Sequence, residues 1–230
     1  MLQKSSLFSN FKREALSQAT TSLIMTMTLP NQLTTLRILL TPLFIWLVLS
    51  DAPHLRIWGI VVFIIASLTD LYDGYHARKY GQSTRWGAFM DPLADKILIT
   101  SAFIYFVHLG LLPLWMVMVV ALRDVMVTLL RFYAECKDQP VITSKSAKIK
   151  TALQNLLAYL LLLLSLFRER ILFSESVSAF AERLLSHNWV YWAMLLLTLY
   201  TVYTGVAYLF ENWQMLRAAY FRMRSTLNAS

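Results

Sequence analysis

Five stretches of the chain carry no Asp, Glu, Lys or Arg: residues 38–50, 57–69, 97–122, 151–167 and 189–210. Within them apolar residues fall on every side of a helix rather than along one stripe, the pattern of a helix with apolar surroundings all round. A bilayer crossing takes about 20 mostly apolar residues. The 97–122 run is too short for two crossings, but "HLGLLP" (108–113) breaks it, and each half extends past the run's ends. The pattern predicts six spans, roughly 31–51, 55–80, 87–109, 112–135, 146–168 and 189–212, with 168–188 as a loop. The expected fold class is an all-α integral membrane protein with six transmembrane helices and an amphipathic or disordered N-terminal segment. The expected organisation is a segment 1–29, a membrane domain 30–212 and a basic tail 213–230.

Composition agrees. The chain is 57% hydrophobic and 15% charged, which is greasy for a soluble domain. No cleavable signal peptide is evident, because the first 28 residues start polar and hold no clean apolar core before a small-residue site. Residues 11–29 read either as a helix on the membrane surface, with Lys12 and Arg13 at the headgroups, or as a disordered tail. The lone cysteine, Cys136, excludes an intrachain disulfide, and His54, His76, His108 and His187 lack metal-ligand spacing.

Charge then sets the orientation. Of the 21 Lys and Arg residues, only Arg56, Arg168, Arg170 and Arg183 fall on one side of the predicted spans. The rest lie in the N-terminal tail, the 78–86 and 131–150 loops, the C-terminal tail and the span ends beside them. The positive-inside rule puts that richer side, and both termini, in the cytoplasm. Trp58, Trp115 and Trp189 then fall near outer span ends, and Trp86 and Trp213 near inner ones, as an aromatic belt would. The net charge of +8 is accounted for by a face that meets anionic headgroups, and needs no nucleic acid.

Against this apolar background, "TDLYDGYHARKYGQSTRWGAFMDPLADK" (69–96) holds Asp70, Asp73, Asp91 and Asp95, from a total of 13 acidic residues. Asp70 lies fifteen residues into the second span, ~22 Å along the helix, just inside the cytoplasmic edge of the hydrocarbon. Asp70 and Asp73 share a helix face, as do Asp91 and Asp95 on the next span, with Gly87 on the same stripe. Two helices joined by a short loop therefore present two carboxylate pairs to each other. Ionised carboxylates inside a bilayer are costly and usually functional. A hard divalent cation, Mg²⁺ or Mn²⁺, resolves the repulsion, because it takes carboxylates plus substrate phosphates as ligands. Four aspartates could hold two ions, the usual clamp for displacement at phosphorus. Gly74, Ala77 and Gly87 remove bulk beside the carboxylates and let a ligand approach the backbone, although small residues also serve tight helix packing. Arg78 is a phosphate or base-edge donor.

The series Asp70-x-x-Asp73-Gly74-x-x-Ala77-Arg78, eight residues, Gly87-x-x-x-Asp91-x-x-x-Asp95 resembles the CDP-alcohol phosphatidyltransferase motif at every fixed position. The resemblance runs from residue 30 to about 165. "PNQLTTLRILLTP" (30–42) looks like the start of that family's first span. "MDPLADKILI" (90–99), "RDVMVTLLR" (123–131) and "TSKSAKIKTALQ" (143–154) look like the bacterial branch that joins CDP-diacylglycerol to sn-glycerol 3-phosphate. The resemblance implies a six-helix enzyme of the bacterial plasma membrane, commonly a homodimer, with a cavity open to the cytoplasm and to lipid. It implies a two-metal centre at Asp70, Asp73, Asp91 and Asp95. It also implies binding of the cytidine diphosphate group by Asp73, Gly74, Ala77 and Arg78 with Gly87, and Asp95 as general base. A plain alcohol nucleophile does need a base, and Asp95 lies last on its stripe, away from the loop.

The acceptor is a separate question. A glycerol 3-phosphate dianion calls for a basic pocket, and Arg123, Arg131, Lys145, Lys148 and Lys150 lie on the cytoplasmic side of the predicted topology. Arg123 falls eleven residues beyond Pro113, well inside its span, and needs a partner such as Asp124. A branch of the same family that uses phosphatidylglycerol as acceptor shares "DPLADK" and "RDVM". A cation or proton transporter would account for the aspartates but not for Gly74, Ala77, Arg78 and Gly87 at their spacings.

Overall fold

The computed structural model describes residues 29–80, 85–136, 145–213 and 217, and places the side chains of 32–69, 90–134, 146–213 and 217. All of the segment 1–29 except Leu29, the tips of the two basic loops and nearly all of the tail after 213 fall outside these. Every regular element among the described residues is α-helical: α1 (Leu29–Val48), α2 (Pro53–Tyr80), α3 (Arg85–His108), α4 (Leu114–Cys136), α5 (Lys145–Phe167), α6 (Glu175–Ser186) and α7 (Trp189–Glu211).

Six of these match the spans expected from the uncharged runs. The break in 97–122 is where the sequence places it: α3 stops at His108, Gly110 takes the left-handed conformation at φ 70° and α4 starts at Leu114. A left-handed residue after a helix end favours glycine because it has no Cβ to clash. Two helices, Ser146–Phe167 and Trp189–Glu211, are long and apolar enough to cross a membrane on length and composition; Gln32–Val48 and Pro53–Thr69 are apolar but shorter. The C-terminal halves of α2 and α4 and the N-terminal half of α3 carry the charges that shorten their apolar runs.

The 168–188 stretch is not simply a loop, for it contains α6. Ser178, Ala181 and Leu185 of α6 are buried at helical spacing and α6 packs on α5. The sequence signal was short but present: Ser174 at the N-cap and Glu175 in the first turn form a helix start. Trp189 also differs from a simple belt residue. Its indole N–H donates to the Leu184 carbonyl at 2.7 Å, tying the start of α7 to the end of α6.

Helix α1 packs on α2 and α3, α3 on α4, α4 on α7, and α5 on α7, with α3 and α2 both touching α5. Phe44, Phe63, Phe103, Phe106, Met116, Leu161 and Met194 fill the shared core. Gly59 permits a close approach of α2 to α1: a Cβ there would stand 2.5 Å from Val48 Cγ1. The outward faces are apolar too. Leu39 and Trp46 of α1, Trp58 and Leu68 of α2, Leu122 of α4, Leu156 of α5 and Leu196 and Phe210 of α7 are all exposed. Polar groups collect inside instead, among them Thr34, Arg37, Asp124, Lys150, Gln154 and Thr201. An apolar exterior over a partly polar interior is the arrangement of a protein whose solvent is lipid.

At one end of the bundle Arg56, entering α2, forms a two-point ion pair with Glu169, just past α5: Nε to Oε1 at 3.0 Å and Nη2 to Oε2 at 3.4 Å. The 51–56 and 168–188 connections therefore share an end, as the alternating topology requires.

Candidate active site

Helix α3 carries Asp91 and Asp95 one turn apart on one face, both half-buried. The Thr34 hydroxyl of α1 donates a hydrogen bond to Asp91 Oδ1. Asp70, Asp73, Gly74, Ala77 and Arg78 fall on the continuous helix α2, and Gly87 on the first turn of α3; their side chains lie outside those placed. So the structure sets the six residues on the two helices, and at the spacings, that the sequence requires. Side chains are placed for Asp91 and Asp95, and Thr34 is the partner seen on Asp91. Among the described residues no three metal-ligating side chains converge, and two of the four aspartates are not in that set. The donors nevertheless fit a hard divalent cation. They are carboxylate oxygens, the ligand type such an ion takes.

One residue further along α3 a second feature begins. Pro92 and Lys96 line a cavity of about 470 Å³ shared with Arg123, Asp124, Thr128 and Arg131 of α4 and Lys148, Thr151 and Asn155 of α5. Its size suits a small ligand, and four cationic side chains face it against one carboxylate. Arg131 Nε is buried and finds no acceptor among the described residues. A buried donor without a partner is costly, and an anion in the cavity would satisfy it.

Asp124 organises the cavity wall. Its Oδ1 accepts from Lys150 Nζ at 2.5 Å and from Arg123 Nη1 at 3.2 Å, and Lys96 Nζ stands 3.8 Å from Oδ2. Arg123 Nη2 reaches across to the Thr204 hydroxyl of α7 at 3.1 Å, and its stem packs where a Cβ on Gly205 would meet it at 3.1 Å. The small residue at 205 lets the arginine lie flat against α7. This single carboxylate therefore ties α3, α4 and α5 together, and Arg123 extends the tie to α7.

The acceptor-phosphate residues expected from the sequence divide accordingly. Arg131 and Lys148 face the cavity. Arg123 faces it too, with its guanidinium already engaged by Asp124, the partner its depth called for, and by Thr204. Lys150 does not face it. Its side chain is 0% exposed and bonded to Asp124 and to Gln154 Oε1 at 2.5 Å, so it is a structural counter-ion rather than a surface donor. Lys145 begins α5 with its side chain outside those placed. Lys96 was missed. It follows Asp95 directly in "DPLADK", and a cation inside a span beside paired carboxylates was signal enough to mark it.

Comparison with known proteins gives the class. Residues 27–200 match the CDP-alcohol phosphatidyltransferase family, and the chain belongs to that family. It is similar to the CDP-diacylglycerol–glycerol-3-phosphate 3-phosphatidyltransferase of Bacillus subtilis, at 36% identity over 203 residues, covering 83% of this chain and 98% of the relative. A probable phosphatidylglycerophosphate synthase of Mycobacterium tuberculosis is 39% identical over 129 residues, 55% of this chain and 61% of the relative. The CDP-diacylglycerol–glycerol-3-phosphate 3-phosphatidyltransferase of Wigglesworthia glossinidia brevipalpis is 32% identical over 143 residues, 60% of this chain and 78% of the relative.

Proposed function

We propose that this protein transfers a phosphatidyl group from CDP-diacylglycerol to sn-glycerol 3-phosphate, releasing CMP and forming phosphatidylglycerophosphate for phospholipid biosynthesis. The observation that carries the choice of acceptor is the basic cavity directly beside the Asp91–Asp95 turn, with Lys96, Arg123, Arg131 and Lys148 around it. A phosphate dianion suits those donors. The named relatives support the same acceptor.

In this reading Asp70, Asp73, Asp91 and Asp95 hold Mg²⁺ or Mn²⁺, two ions in all. The ions would neutralise the diphosphate as charge builds on the leaving CMP. Asp73, Gly74, Ala77, Arg78 and Gly87 bind the CDP group. Arg131 and Lys148, with Lys96 and Arg123, anchor the acceptor's phosphate so that its free hydroxyl lies towards α3. Asp95 takes the hydroxyl proton. The freed oxygen bonds to the phosphorus nearer the lipid, and the bond from that phosphorus to the bridging oxygen of CMP breaks. Six spans, a cytoplasmic active site and a homodimer complete the proposal. The apolar outer faces and the Lys and Arg distribution support the first two.

The test is CMP release by purified protein with CDP-diacylglycerol and Mg²⁺ or Mn²⁺, each alcohol offered separately. Turnover with glycerol 3-phosphate is expected. Turnover with phosphatidylglycerol alone would transfer the protein to the cardiolipin-forming branch. No CMP release with any alcohol would remove the transferase reading.

A further inference from the structure

Helix α1 is apolar outside, yet it carries Thr34, Arg37 and Thr41, all buried, at helical spacing. Nothing in the proposed chemistry so far uses them. Thr41 is locally satisfied, since its hydroxyl donates to the Arg37 carbonyl at 2.9 Å. Thr34 is different: at 2% exposure it sends its hydroxyl to another helix, onto Oδ1 of Asp91. A threonine hydroxyl inside an apolar span commonly bonds back to its own helix, as Thr41 does. Aiming it at a carboxylate 57 residues away fixes that carboxylate's rotamer.

We propose that Thr34 is the positioning residue of the metal centre: its hydroxyl bond to Oδ1 holds the Asp91 carboxylate in the orientation of a cation ligand. The inference rests on the reading of Asp91 as a metal ligand. Outer groups that hydrogen-bond a ligating carboxylate set its direction and basicity, and losing one typically costs 10–100-fold in metal affinity. The methyl group of threonine is not what the role needs, so serine should serve and valine, of nearly the same shape, should not.

The experiment measures Mn²⁺ binding to the purified full-length protein in detergent, without substrate, from the electron paramagnetic resonance signal of free Mn²⁺. Thr34→Val is expected to weaken Mn²⁺ binding by about 10–100-fold. Thr34→Ser should bind like the wild type, and Thr41→Val should be unchanged. If Thr34→Val does not fold, Thr34→Ala against Thr34→Ser makes the same comparison. Wild-type affinity in Thr34→Val, with binding lost in Asp91→Asn, would overturn the role of Thr34 and leave the metal site standing. Equal weakening in Thr34→Ser would assign the effect to packing and also overturn it. A wild-type protein that binds no Mn²⁺ would overturn the metal reading itself, and the role of Thr34 with it.

Discussion

Lys148 and Lys150 stand two residues apart near the start of α5 and meet opposite environments. Lys148 is exposed and lines the cavity, whereas Lys150 is enclosed between Asp124 and Gln154. Lys148→Ala or Arg131→Ala should raise the Michaelis constant for glycerol 3-phosphate and leave that for CDP-diacylglycerol unchanged, in steady-state assays with one substrate saturating. Lys150→Met should act on the fold instead. It removes the shortest of Asp124's contacts while Arg123 and Lys96 still face the carboxylate, and losing a buried hydrogen bond to a charged group costs about 1.5–3 kcal/mol, read as a drop in thermal midpoint. For chemistry the informative residue is Asp95. Asp95→Asn keeps shape and removes basicity, so CDP-diacylglycerol should still bind while turnover falls by ~10²–10⁴-fold, the usual worth of a general base; weaker nucleotide binding in step with turnover would make Asp95 chiefly a ligand. The aspartates were legible in the sequence because charge is conspicuous in apolar runs. The separate fates of Lys148 and Lys150 were not, because a difference of two residues turns a side chain to another face only once the helix's neighbours are known.

Among the elements, six helices were readable from the uncharged runs alone, and their ends fall within a few residues of expectation. Helix α6 was not, for its 12 residues carry charges that read as a polar connection. Its apolar positions matter only because α5 lies beneath them. The close approach of α1 and α2 was equally invisible, since a single glycine in an apolar run has no distinctive pattern. Gly59→Ala tests it. The new Cβ would meet Val48 Cγ1 at 2.5 Å and the Val48 backbone nitrogen at 3.1 Å, so the helices must part. Overpacking of this kind costs about 1–3 kcal/mol. A lowered thermal midpoint that Val48→Ala partly restores is the expected result; no change in the midpoint would show that the two helices slide apart freely.

At the scale of the molecule, the two ends of the bundle differ in chemistry. One end closes with the Arg56–Glu169 pair and α6. The other carries the aspartate helices and the basic cavity. A soluble dianionic acceptor must reach that second end, so it must face the compartment where the acceptor is made. The positive-inside rule points the same way, because loops rich in Lys and Arg stay in the cytoplasm. Cys136 provides the test without any engineered probe. It is the chain's one cysteine and it ends α4 on the active-site side. A membrane-impermeant maleimide applied to intact cells should leave Cys136 unmodified. The same reagent should modify it once the cells are opened, and bound CDP-diacylglycerol or glycerol 3-phosphate should not be needed for either result. Rapid labelling in intact cells would invert the protein in the membrane, put the cavity on the outer face and separate it from a cytoplasmic acceptor.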